Sequence, residues 1–346
     1  MLAIDTILRS PPRYGDDGAS AQAASLPFYT VLSRFCNTPA GYNAFVHPGV
    51  NARFHNIFFK WQTLLELPDS KSVLHRNEGG WFRPDSLKEL VQFAGGSGED
   101  SFEDFFECNP DDESYGFQSY DEFFTRELLP KRRAPMLPDN PRMINAACTS
   151  TVHAVYGPLK EIDHFWMKQT PYSLRHMLGN DDYTDNFIGG TLFQAMLASR
   201  DYHRWRSPID GVVKKTRLIP GTYYATCLDY DDDSPEDPLT RSQDFVTAIA
   251  TRALIFIESD NKDIGLVCFV AVGLAEVSTC NVIVKKGQKL KKGDELGQFH
   301  FGGSTHCLLF GPQVQLTPIP RKNGSPLVKS KVYVGEVIFE AEKKQL

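Results

Sequence analysis

Two hydrophobic patterns divide the chain. From about Phe28 to Glu127, apolar residues mostly recur every three and four positions; beyond about Met143 they come in short β-type runs. Phe54, Ile57, Phe58, Trp61, Leu64 and Leu65 fall on one face of an amphipathic helix, and Ser86–Phe93, opening on a serine, predicts another. β runs are expected over 211–218, 253–257, 265–272, 280–284 and 331–339, separated by Gly, Pro and Asn turns. Between the two regimes, residues 130–141 carry four prolines and the trio Lys131-Arg132-Arg133 and read as a linker. Residues 1–25 are rich in Ser, Pro, Gly and Ala and predict a poorly ordered start. The expected class is α+β: a helical region and linker over 26–141, then a mostly antiparallel β core over 142–346.

Bulk composition narrows the function classes. With 346 residues, 41% of them hydrophobic, the chain can bury a large core. Lys+Arg 37 against Asp+Glu 43 leaves a net charge of −6, which gives no global attraction to nucleic acid or anionic lipid. The most apolar stretch, 264–275, is too short to span a bilayer and predicts a buried strand. Met1–Asp5 has neither a secretory n-region nor an arginine-rich presequence, so a cytoplasmic protein is expected, with no membrane partner. Seven cysteines without close pairing read as reduced thiols, and no CxxC or HExxH spacing suggests a zinc site. The acidic run Asp229–Asp233, with Glu236 and Asp237, reads as a solvated loop. Residues 284–297, with Gly287 and Gly293 between lysine pairs, are similar to the hairpins of barrel-sandwich folds, but no lone carrier lysine stands at their tip.

The candidate chemistry lies in Phe299-His300-Phe301-Gly302-Gly303-Ser304-Thr305, between two strand-like segments. A serine hydroxyl there can attack the preceding carbonyl and turn an amide into an ester that then eliminates. Two further segments accompany it: Ser119–Leu128, of FxxFFxRxL type, and Asp201-Tyr202-His203-Arg204 followed by Ser207-Pro208-Ile209-Asp210-Gly211. In this order the three resemble the motifs of the phosphatidylserine decarboxylase family. Asn145–Cys148, Tyr202–Trp205, Ile257–Lys262, Asn37–Gly41 and Tyr115–Phe117 are similar to its fungal L-tryptophan decarboxylase branch, over nearly the whole chain.

That resemblance implies a self-processing enzyme. Decarboxylating an amino acid leaves charge on the α-carbon that no ordinary side chain delocalises, so an electron sink is required. By resemblance the sink is a covalent pyruvoyl group derived from Ser304, which holds the substrate as a Schiff base. Gly303 supplies the scissile carbonyl, cleavage falls between 303 and 304, and the fragments 1–303 and 304–346 stay associated. His203 is the implied general base, suited by a pKa near working pH. His176, His300, Gly302, Thr305, His306 and Cys148 are candidate pocket residues. Were the strand to run straight through the turn, 300, 302, 304 and 306 would point to one side. The chain departs from the phospholipid enzymes at two positions: Cys148 stands where their aspartate falls, and Arg206 where a second histidine falls. The expected reaction is decarboxylation of a soluble aromatic L-amino acid, L-tryptophan to tryptamine above others. The alternatives are phosphatidylserine decarboxylation, or an uncleaved, inactive relative acting as a binding module.

Overall fold

The structure is a computed structural model; it describes residues 2–15, 26–162, 172–228, 241–276, 279–301, 304–321 and 323–345. Gly302, Gly303 and the acidic run at 229–237 lie outside the described residues.

Helices fill the first third: α1 (Leu2–Leu8), α2 (Pro27–Cys36), α3 (Pro39–Phe45), α4 (Pro48–Glu66), α5 (Pro84–Phe93), α6 (Tyr120–Phe124) and α7 (Pro130–Arg133). Five of them, α2 to α5 and α7, open on proline, whose fixed φ suits the first turn and whose missing N–H costs nothing there. Ser86 does not start α5. It sits buried one turn in, and its hydroxyl donates back to the carbonyls of Trp81 (2.8 Å) and Arg83 (2.9 Å). The apolar face of α4 buries Phe58, Trp61 and Leu65, against which Phe28 packs edge-on at 5.2 Å from both Phe58 and Trp61. Trp61 also meets Phe301 at 6.0 Å, so this helix reaches the strand-to-strand turn. Tyr14 is buried edge-on against Trp81, and Met136 N–H donates to Gly335 O, holding the residues after α7 on the core.

The β region has three sheets whose ladders are all antiparallel. The largest has eight strands in the order β13 (Lys331–Val332), β2 (Ser150–Tyr156), β3 (Thr191–Leu197), β11 (Ser304–Phe310), β7 (Leu266–Gly273), β6 (Arg252–Ser259), β5 (Gly211–Ile219) and β9 (Lys289–Leu290). It does not close into a barrel. β10 (Glu295–His300) lies between β4 (Arg204–Arg206) and β8 (Thr279–Val282) in a second sheet. β14 (Val337–Lys343) lies between β1 (Met143–Asn145) and β12 (Val314–Pro318) in a third. Two short helices, α8 (Leu174–Met177) and α9 (Gln243–Ile249), complete the described elements used below.

The short apolar runs form strands where expected, and the whole of β7 is buried. One run is corrected. Residues 331–339 are two strands, β13 and β14, in different sheets, because the chain turns at Gly335 (φ +85). There a Cβ would approach Ala134 O to 2.8 Å. The basic segment is mostly solvated, but Lys292 is buried and its ammonium donates to Asn140 O.

Glu276, three residues beyond β7, ties the helical region to the core. Its carboxylate accepts from the first N–H groups of α2, Phe28 (2.9 Å) and Tyr29 (3.4 Å), and from Tyr224 OH (3.1 Å). Burial outweighs these bonds and pushes its pKa from 4.5 up to about 7. Between those values the folded chain holds a proton that the unfolded chain has released, so this contribution to stability falls as pH rises from 4.5 to 7. The loss is on the order of 3 kcal/mol. Glu276→Gln is expected to flatten the decline relative to the native chain, measured by denaturant unfolding across that pH range.

Candidate active site

Ser304 is the first residue of β11, an interior strand; its partners are Leu197 on β3 and Gly273 on β7. Alternation places Ser304 and His306 on one face and Thr305 and Cys307 on the other. The His306 ring packs between Phe193 (5.8 Å) and Phe269 (5.7 Å), both on the Ser304 face by register. Ser304 and His306 are fully buried, and neither the Ser304 hydroxyl nor either His306 ring nitrogen has a partner among the described residues. An unmet buried polar atom costs about 1–3 kcal/mol. A natural core holds few of these, and two such residues two positions apart on one strand face mark a place built for something other than stability.

The second sheet covers this face. Trp205 of β4 packs on Phe269 (5.4 Å) and on Phe299 of β10 (4.7 Å). His203, just before β4, is fully buried, stacks on Phe124 of α6 at 4.3 Å, and accepts Phe299 N–H on its carbonyl. Its Nε2 lies 3.3 Å from Ser199 O. A carbonyl only accepts, so Nε2 carries the hydrogen and Nδ1 keeps a lone pair, which meets no described partner. Burial first, then the Arg126 charge, lowers its pKa from 6.5 to about 3; burial does the same to His306. Both imidazoles are therefore neutral, the state in which a ring nitrogen can take a proton.

The chain does not run straight through the turn. β10 ends at His300, Phe301 takes φ +59, and β11 starts in another sheet. The expectation of one shared side holds for 304 and 306 and fails for 300. His300 instead pairs through Nδ1 with Asp121 Oδ1 of α6 at 2.7 Å. Thr305 faces away from Ser304: its hydroxyl donates to Ala195 O (3.1 Å) and lies 3.2 Å from Gln194 Nε2, whose own Oε1 accepts from Tyr172. The segment leading into α8 thus serves that opposite face. His176 is exposed on α8, its carbonyl accepting Arg252.

Cys148 is fully buried, and burial pushes its thiol well above the usual range, with the Asp201 charge adding to the effect. Asp201, the first residue of the histidine motif, brings a carboxylate into the Cys148 neighbourhood. It is fully buried, accepts Ala198 N–H at 2.7 Å and pairs with Lys331 of β13. That bond closes the turn carrying Ser199, whose carbonyl sets the His203 tautomer. Burial, partly offset by Lys331, raises the Asp201 pKa from 3.8 to about 6. Asp121 and Asp201 escaped selection from sequence although both lie inside quoted motifs, because nothing local marks which motif residues meet a histidine. Arg206 is engaged through one end of its guanidinium, Nη2. It donates to both Glu127 oxygens (2.8 and 2.7 Å) and to Tyr202 OH (2.8 Å), so it clamps β4 to the residues following α6.

The site can hold a covalent group at position 304. The Ser304 side chain is buried and unbonded at a strand start directly after two glycines in the sequence; His306 lies two residues on along the same strand face, and His203 directly precedes β4 of the covering sheet. No helix among the described residues is long and apolar enough to cross a membrane.

A phosphatidylserine decarboxylase family model matches residues 120–340, and a second model of the same description matches 1–90. A decarboxylase of Amanita muscaria, iboD, is 42% identical over 332 residues, covering 91% of this chain and 93% of its own. The L-tryptophan decarboxylase of Psilocybe cubensis is 35% identical over 87% of this chain and 70% of its own. A phosphatidylserine decarboxylase proenzyme of Schizosaccharomyces pombe is 29% identical over 74% of this chain and 25% of its own. With a family model over 120–340 and a relative 42% identical over 91% of this chain, the protein is a carboxy-lyase and a member of the phosphatidylserine decarboxylase family.

Proposed function

We propose that the chain cleaves itself between Gly303 and Ser304 and then decarboxylates a soluble aromatic L-amino acid, L-tryptophan being the preferred substrate. The observation that carries this reading is the fully buried, unpartnered Ser304 hydroxyl at the start of β11. A hydroxyl meant only for packing would be bonded or replaced.

In maturation, Ser304 Oγ gives its proton to a neutral imidazole and bonds to the Gly303 carbonyl carbon. The 303–304 C–N bond breaks as the imidazolium passes that proton to the departing nitrogen, leaving an ester and a free amine on residue 304. Loss of the residue 304 α-proton expels the upstream chain as a carboxylate, and water converts the remaining enamine into a ketone and ammonia. His203 is the proposed acceptor for these protons, because its Nδ1 lone pair is free while Ser199 fixes the ring. The pyruvoyl ketone at 304 supplies the electron sink that decarboxylation requires. The fragments 1–303 and 304–346 stay together because β11 remains paired on both sides, with β3 and β7. His306, neutral and lodged between two phenylalanines on the same face, holds a second proton-accepting nitrogen beside position 304.

Similarity to two L-tryptophan decarboxylases over 87% of the chain supports an amino acid over a lipid. Incubation of purified protein with L-tryptophan, L-tyrosine and phosphatidylserine micelles tests this, read as amine released. Tryptamine is expected; release of phosphatidylethanolamine alone would reverse the substrate assignment.

A further inference from the structure

A cavity of about 900 Å³ opens between α4 and the core, floored by Tyr223 and walled by Ala52, His55, Phe59, Leu218 and Thr279. Two of its residues connect it to the cleavage turn. His300 lines it and precedes that turn directly. Thr251 also lines it, and its carbonyl accepts Gly273 N–H (2.9 Å), while Gly273 is the strand partner of Ser304. Thr251 is therefore two inter-strand steps, roughly 10 Å, from Ser304. A second cavity, about 390 Å³ and ringed by Asp210, Asp260, Asp263 and Lys262, shares no residue with that turn.

The lining has a distinct chemistry. Among its described residues Glu66 is the only Asp, Glu, Lys or Arg, so no fixed cation is present. Phe59 and Leu218 stand 64% and 59% exposed at its walls, an unusual outlay of apolar surface unless something covers it. Hydrogen-bonding groups are interspersed: the Tyr223 hydroxyl and His55 Nδ1, 3.2 Å apart, and the Gln62 amide, 3.4 Å from the Thr279 hydroxyl. A mostly apolar cavity with a few polar groups suits a flat, uncharged ring that carries a hydrogen-bonding heteroatom. It does not suit a phosphodiester, which would lose its hydration without gaining a cation.

We propose that this cavity seats the substrate's ring, so that α4, from the helical third of the chain, sets specificity for chemistry performed on β11. The inference rests on the reading of Ser304 given above and adds where the non-reacting part of the substrate lies. Ala52 tests it because it is exposed, helical and on the cavity wall, where a large side chain takes up volume without disturbing the core. Two measurements are made. Ser304→Ala protein, which cannot turn ligand over, is titrated by calorimetry with L-tryptophan, tryptamine and glycerophosphoserine, with and without Ala52→Trp. Mature Ala52→Trp protein is then assayed for KM on whichever aromatic amino acid the native chain decarboxylates.

The indole ligands are expected to bind and glycerophosphoserine not to. Ala52→Trp should weaken indole binding and raise KM by about tenfold or more, with self-cleavage still complete. Absence of indole binding, equal binding of glycerophosphoserine, or binding and KM unmoved by Ala52→Trp would each overturn the proposal. If the native chain decarboxylates no aromatic amino acid while indole binding still depends on Ala52, the function reading fails and the cavity assignment stands.

Discussion

A Ser304→Ala chain is expected to persist as one full-length polypeptide and to lose decarboxylation altogether, a drop of about 10⁶-fold or more to the uncatalysed background. On the proposed maturation, the substitution removes the hydroxyl that attacks the 303 carbonyl, and with it the origin of the ketone. Its effect on stability should run the other way. The hydroxyl is fully buried and unbonded, so deleting it removes an unmet polar group, and the variant should be as stable as the native precursor or more stable by about 1 kcal/mol. Lost chemistry with undiminished stability separates this residue from a packing position such as Leu308, where truncation would cost about 2–5 kcal/mol. Intact mass and thermal unfolding of the variant measure both. Cleavage that continues without the hydroxyl would exclude residue 304 as the nucleophile, and a single stable species in the native protein would favour an inactive binding relative.

The sequence made some of this legible and hid the rest for identifiable reasons. Strands such as β5, β6 and β7 were readable because short β-branched and apolar runs bounded by Gly and Asn leave few alternatives. Ser304 and His203 stood out because their motifs are short and local. What escaped depends on contacts between distant segments. The change of sheet between His300 and Ser304 was hidden by two glycines, which fit a straight strand and a turn equally. Gly335 broke an apparent strand because its neighbour in space is Ala134, two hundred residues earlier. Asp121 meets His300 across 179 positions, and Arg206 meets Glu127 across 79, so no spacing rule connects them. The cavity is the extreme case: α4 contributes one wall and β5 and β8 the others, and no single segment carries its pattern.

Replacing His203 should slow maturation by about 10²- to 10⁴-fold, the usual contribution of a positioned proton acceptor. The argument starts from its neutrality. Burial holds the imidazole pKa near 3, so across the neutral range the Nδ1 lone pair is available, and native self-cleavage should change little between about pH 6 and 8. The same shift fixes the sign of its effect on folding. Below pH 6.5 the unfolded chain binds a proton that the folded chain refuses, so this contribution, present above 6.5, is lost as pH falls towards 3, opposite in direction to Glu276. His203→Ala opens space beside Phe124 and could slow cleavage through packing alone, so His203→Gln, nearer in volume, accompanies it. A proton acceptor predicts slow cleavage in both variants and recovery of His203→Ala by added imidazole, which restores a base and a flat ring against Phe124. A packing role predicts brisk cleavage in His203→Gln. Should that be found, with His306→Gln blocking maturation instead, the base is the histidine on β11 itself, two residues from the hydroxyl it serves.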